Sequence, residues 1–199
     1  MIIGLAGGVG AGKSSVAAAF RDLGCVVIDS DQEAKAALRL PRVKAELRSW
    51  WGEAAFGPDG EVNRAAVARI VFADPAQRLR LESLIHPLLR GTRHAAIDAA
   101  ERDGAPAVIL DAPLLFEAGL DAECDAVVFV EAPRSQRVAR VARRGWDEAE
   151  LDRREKTQLP LEHKRARAHH VVDNSADEAR LRARVAEVFS AIMRGLRRR

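Results

Sequence analysis

Four short apolar runs, Ile2 to Ala6, Cys25 to Ile28, Ala107 to Leu110 and Ala126 to Val130, are joined by a weaker fifth at His170 to Val172. They are rich in β-branched residues and are followed by turn or helix signals, which predicts buried strands alternating with helices and hence a parallel sheet. Gln32 to Asp103 carries no strand pattern. It predicts helices from Gln32, from Pro41 to Trp51 and from Arg64 to Phe72, then a pair at Pro75 to Ile85 and Pro87 to Ala100. Pro41, Pro75 and Pro87 suit first-turn positions, and Pro58, Asp59, Gly60 reads as a turn. A helical insertion at this place is expected to cap the carboxyl edge of the sheet, where α/β folds bind ligands.

Beyond the fourth run, Pro133 and Arg134 open a helix that reaches Arg144 and is stopped by Gly145. Asp147 to Gln158 and Leu161 to Ala168 predict two more. Asp177 to Leu196 predicts a long amphipathic closing helix with Leu181, Val185, Val188, Ile192 and Leu196 on one face. The run Arg194 to Arg199 reads as its basic end. The expected architecture is α/β: a five-stranded parallel sheet in three α/β/α layers, with a helical insertion.

A chain of 199 residues can bury a sizeable core and carry an insert. Its apolar stretches fall short of the ~18 residues that span a bilayer, and its start lacks the basic region of a secretory leader. Cys25 and Cys124 are too few for a disulfide framework and adjoin apolar runs, which suits reduced thiols and a cytoplasmic location. The net charge of +3 hides an asymmetry: residues 134–199 hold 18 basic and 10 acidic side chains, the remainder 14 and 19. The basic half is Arg-rich, interleaved with acids and poor in aromatics, so a cluster closing over polyphosphate is favoured over a nucleic-acid surface, and most of these arginines read as solvated.

The chemistry is concentrated at the first strand. Gly7 to Ser15, GGVGAGKSS, fits the Walker A pattern and lies between a strand and the helix formers Val16 to Phe20. Gly7, Gly8, Gly10 and Gly12 let the backbone wrap round phosphate, and the helix N-terminus adds unpaired N–H groups. Lys13 is placed to reach the β and γ phosphates and the Ser14 hydroxyl to ligate Mg2+. The second run ends in Asp29, Ser30, Asp31, two carboxylates on one side of an extended chain. Asp31 is the candidate base that accepts a proton from an alcohol, and Asp29 a support for metal-bound water or for the phosphate loop; a helix cap at Ser30 or Asp31 is the plainer alternative. Asp111 ends the third run as a Walker B carboxylate would, or as a turn former. Pro113 to Phe116 suits an apolar acceptor pocket. His86 and Pro87 read as a helix junction, with His86 a polar contact to the acceptor or a partly buried side chain. Gln136, Arg140, Arg143 and Arg144 lie on the helix after the fourth strand, from which an arginine can neutralise charge on a transferred phosphoryl group.

Taken in order, IGLAGGVGAGKSSVA (Ile3 to Ala17), VIDSD (Val27 to Asp31), DGEVNRAAVARIVF (Asp59 to Phe72), IHPLL (Ile85 to Leu89), DAPLLFE (Asp111 to Glu117), QLPLEHKRARA (Gln158 to Ala168) and VVDNS (Val171 to Ser175) resemble the dephospho-CoA kinase family nearly end to end. The resemblance implies ATP-dependent phosphorylation of the ribose 3′-hydroxyl of dephospho-CoA, the last step of coenzyme A synthesis. It implies a P-loop kinase core at 1–31, 104–134 and 169–199, a helical acceptor domain at 32–103 and a lid at 135–168. Gly8, Gly10, Ala11, Gly12, Lys13, Ser14 and Ser15 would hold ATP, with Asn174 near the adenine; Asp31, Lys13 and Arg143 would be catalytic. Asp31, His86, Asp111, Leu114 and Leu115 would meet the acceptor, and Ser14, Asp29 and Asp111 the Mg2+.

Two departures stand out. Ala139 occupies a slot where the family has Arg, which unsettles any catalytic role for the adjacent Arg140, and His169 replaces a usual Asp. ATP and dephospho-CoA are the expected partners, with no nucleic acid, membrane or obligate protein partner, in a monomer or weak homo-oligomer. The alternative is another P-loop small-molecule kinase of the shikimate, gluconate or nucleoside monophosphate type; a GTPase would need an Asn-Lys-x-Asp motif, which the chain lacks.

Overall fold

Each apolar run becomes a strand of one parallel sheet in a computed structural model that describes residues 1–196. The strands are β1 (Ile2–Gly7), β2 (Val26–Asp29), β3 (Val108–Asp111), β4 (Ala126–Glu131) and β5 (His170–Asp173), in the order β2-β3-β1-β4-β5. The helices are α1 (Lys13–Asp22), α2 (Ser30–Leu38), α3 (Pro41–Trp51), α4 (Arg64–Ala73), α5 (Pro75–Arg102), α6 (Arg134–Ala142), α7 (Glu148–Glu155), α8 (Leu161–Arg167) and α9 (Glu178–Leu196). β1 is central and bonds β3 on one side and β4 on the other, so the loop that leaves it emerges in the middle of the carboxyl edge.

The chain divides into two compact units, one built from Met1–Asp29 and the chain from Asp98 onward, the other from Ser30–Ile97. In the first, side chains alternate along the strands as the pleat requires. Ile3, Leu5, Ile109, Val128 and Val130 meet Val16 and Phe20 of α1 and Leu181, Val185, Val188 and Ile192 of α9. Each such side chain contributes about 1.5–3 kcal/mol on burial. Phe20 and Phe189 pack edge to face at 5.9 Å. The apolar stripe expected on α9 is thus found, except that the Leu196 side chain and Arg197 to Arg199 lie outside the described residues. On the opposite side of β1, Leu115 and Cys124 fill the space beside Gly4, where a Cβ would meet Leu115 Cδ2 at 2.8 Å.

An ion pair with a buried lysine ties α8 to the segment after β3. Lys164, 1% exposed, donates to Glu117 Oε1 at 2.8 Å and to Gln158 Oε1 at 2.8 Å, and the Leu159 N–H donates to the same Glu117 oxygen at 2.8 Å. Burial alone would raise the Glu117 carboxyl, but the hydrogen bonds from Lys164 and Leu159 win and hold it below its ordinary value.

In the helical unit Val43, Leu47, Ala55, Phe56, Val67 and Ile85 form a second core. The Pro58–Gly60 turn is closed by Gly60 N–H to Gly57 O at 3.0 Å, and Phe56 and Val62 bridge across it. Two expectations are corrected here. Pro87 does not begin a helix: α5 runs 28 residues with Pro87 inside it, so His86 sits within the helix and is exposed, not at a junction. Leu81, Leu84, Ile85, Leu88 and Leu89 pack on both sides of the proline, and that packing outweighs the lost hydrogen bond. Nor do Asp29 and Asp31 share an extended face: β2 stops at Asp29 and Asp31 stands in the first turn of α2, where a carboxylate meets the positive end of the helix dipole.

Lys164→Met takes the buried ammonium from beside the partly exposed Glu117 and is expected to cost about 2 kcal/mol in guanidinium unfolding; a loss below about 0.5 kcal/mol would contradict a stabilising role for the pair. Because the folded state depresses the Glu117 pKa, its contribution is present above the ordinary carboxylate range and is lost as pH falls through it. Glu117→Gln should therefore flatten the acid limb of stability against pH. Pro87→Ala restores a donor to the middle of α5 and should raise the urea midpoint; a lower midpoint would show that the proline is needed for packing.

Candidate active site

The loop between β1 and α1 is shaped by its glycines and by the end of the helix it feeds. Gly12 caps α1 with φ 89° and ψ 32°, a left-handed conformation, and a Cβ there would collide with Asn174 Nδ2. Ser15 and Val16 donate their N–H groups to Gly12 O at 3.0 and 3.2 Å, which starts the helix, while Ala11 N–H closes on Gly8 O at 3.1 Å. The earliest N–H groups of α1 have no carbonyl four residues back to reach, so they point into the space before the helix. Lys13 Nζ lies 3.4 Å from Gly7 O, folded back along the loop.

Beside this loop opens a cleft of about 520 Å³. Its lining brings Gly10, Gly12, Ser14 and Ser15 together with Arg140, Arg143, Arg144 and Asn174, and with Glu178 and Arg182 of α9. A helix N-terminus with a surplus of cations nearby favours an anion. Burial, with neighbouring Arg143, pushes Arg140 below its ordinary value. Arg143 directly follows α6 as its C-cap.

At the carboxyl ends of β2 and β3, Asp29 and Asp111 are register partners, and the row continues to Leu5 of β1. Neighbouring strands lie about 4.8 Å apart, so the two carboxylates leave the sheet side by side on one face. Asp111 is 8% exposed. Among the described residues no three His, Cys, Asp or Glu converge on a metal position. Asp29, Asp111 and the Ser14 hydroxyl are all oxygen donors, the kind of group that suits Mg2+.

The remaining expected residues are distributed as follows. Asp31 and His86 both belong to the helical unit and both are exposed, on α2 and α5. Leu114 is 45% exposed, but Leu115 is 1% exposed and packs under β1, so of these two leucines only Leu114 is open to a ligand. Asn174 is 5% exposed, its side-chain amide donating to Ala11 O at 2.8 Å.

Sequence reasoning overlooked Arg137. It is 6% exposed, ion-paired with Glu155 of α7, and its Nη1 lies 3.5 Å from Val9 O. A signal existed: Arg137 and Val141 are four apart on α6 and are the two residues this helix buries, so the arginine occupies a position on the apolar face.

Comparison with known proteins gives the family. The dephospho-CoA kinase family model matches residues 1–179. A dephospho-CoA kinase from Symbiobacterium thermophilum is 38% identical over 198 residues, covering 98% of this chain and 82% of that protein. One from Geobacter sulfurreducens is 38% identical over 192 residues, covering 95% and 97%. A crystal structure of a Thermus thermophilus protein matches with a TM-score of 0.84 and 38% identity over 96% of both chains. Matched in this way along nearly its whole length, the chain belongs to the dephospho-CoA kinase family.

Proposed function

We propose that this chain transfers the γ-phosphoryl group of ATP to the ribose 3′-hydroxyl of dephospho-CoA, giving coenzyme A and ADP, with the donor bound in the cleft at the end of β1. The observation that carries this reading is the juxtaposition in one cleft of Gly10, Gly12, Ser14 and Ser15 with Arg143 and Arg144. Loop N–H groups take the phosphates, Lys13 swings from Gly7 O to the β and γ phosphates, and Asn174 borders the nucleotide.

Ser14, Asp29 and Asp111 are the residues that would hold Mg2+, which when bound neutralises charge on the β and γ phosphates. The Asp31 carboxylate accepts the proton of the attacking 3′-hydroxyl as the new O–P bond forms and the bond to the bridging β–γ oxygen breaks, releasing ADP. Arg143 offsets charge on the transferred group. Asp111, Leu114 and His86 serve the acceptor. We place the reaction in the cytoplasm, whose reducing conditions suit the free thiols Cys25 and Cys124.

Purified protein with ATP and Mg2+ should turn over dephospho-CoA and leave shikimate, gluconate and nucleoside monophosphates unreacted. Turnover of one of those acceptors in place of dephospho-CoA would overturn the assignment. Asp31→Asn should lower kcat by at least about 100-fold while ATP affinity stays within about threefold; near-normal turnover would remove Asp31 as the base.

A further inference from the structure

Three consecutive carbonyls of the phosphate loop are held from behind by side chains. Val9 O faces Arg137 Nη1 at 3.5 Å, and Gly10 O faces Arg140 Nη1 at 3.4 Å. Ala11 O accepts from Arg140 Nη1 at 3.0 Å and from Asn174 Nδ2 at 2.8 Å. The donors are themselves fixed. Arg140 Nη2 donates to Asn174 O at 2.7 Å and to Gln136 Oε1 at 3.1 Å, and the Asn174 N–H donates to Glu131 O at 2.8 Å. Arg137 is held by Glu155, a carboxylate that also lies 3.5 Å from Arg134 Nη1.

In a planar trans peptide the C=O and N–H point in opposite directions. With Val9 O and Ala11 O turned onto Arg137, Arg140 and Asn174, the N–H groups of Gly10 and Gly12 face away from those side chains, on the opposite face of the loop. The intervening Ala11 N–H is bonded within the loop to Gly8 O at 3.1 Å. Left to itself, a glycine-rich loop samples many conformations, and ordering it on binding would cost affinity.

We propose that Arg137, Arg140 and Asn174 are positioning residues that hold the phosphate loop in its anion-binding conformation before nucleotide arrives, with Glu155 of α7 setting Arg137. This inference rests on the reading that the loop binds the phosphates of ATP. It gives Arg140 a role on the back of the loop. It also makes the ion pairs of α7 a determinant of nucleotide affinity at a distance, since Glu155 reaches the loop through Arg137.

The consequence is that losing the clamp weakens binding in proportion to the phosphates a ligand carries. Calorimetric titration with ADP, and NMR-monitored titration with adenosine, are compared for the unaltered protein, Arg140→Met and Glu155→Gln. ADP affinity should fall about tenfold in Arg140→Met and about threefold in Glu155→Gln, with adenosine affinity unchanged within twofold in both. Glu155→Gln keeps the side-chain shape and decides the matter should Arg140→Met fail to fold. Equal losses for ADP and adenosine would mean direct contact with the nucleoside, and unchanged ADP affinity in the folded variants would mean that the contacts are merely structural; either overturns the inference. Failure of the unaltered protein to bind ADP would instead sink the underlying functional reading.

Discussion

A peptide group can offer its N–H to a phosphate in a stable way only when its C=O is satisfied on the other side, and in this chain that requirement reaches well beyond the loop itself. Glycine supplies the conformational freedom at Gly12 but cannot choose among conformations. The choice comes from α6 and from the turn after β5, whose Arg140 and Asn174 converge on Ala11 O. Those two residues are in turn bonded to each other, so the turn after β5, helix α6 and the loop form one polar unit. The parallel sheet makes this possible: β1 is central, and the element that follows β5 returns to the same carboxyl edge.

Much of this was legible in the residues. Strands buried on both faces read as continuous apolar runs, so the sheet could be drawn before its order was known. The phosphate loop was equally plain, since its glycines, Lys13 and Ser14 are spaced by the chemistry they perform. The order β2-β3-β1-β4-β5 was not readable, because pairing depends on contacts remote in sequence. Pro87 misled for a local reason: proline is a reliable start signal only when no surrounding packing holds a helix through it, and Ile85 and Leu88 do so here. At Ser30 and Asp31 two local signals competed. The spacing of the carboxylates suggested a strand end, while short polar residues before a helix suggested a cap at Ser30 or Asp31, and the helix prevailed, beginning at Ser30 itself.

The arginines show the same limit for charge. A basic stretch interleaved with acids reads as a solvated surface, and much of it is: Arg153 and Arg154 pair with Glu150, Arg165 with Glu131, and Arg167 with Asp121. Exposed pairs of this kind are worth at most about 1 kcal/mol each. Arg137 and Lys164 differ because they are buried, and their partners Glu155 and Glu117 lie 18 and 47 positions away, too far for a helical spacing rule to reveal them. The Glu117–Lys164 pair also supplies a physical reason for the joint presence of DAPLLFE and QLPLEHK, which no strand or helix pattern explains: the last residue of one is the buried counter-ion of the other.

The central claim is that the loop amides of Gly10 and Gly12 are aimed at phosphate by contacts made behind them. It is tested most directly by following the amide resonances of 15N-labelled protein as ADP is added. Downfield shifts of the Gly10 and Gly12 amide protons with ADP, and small shifts with adenosine, are the result the account predicts. If those two resonances stay in place while others move on ADP binding, the amides do not face the phosphates and the account is wrong.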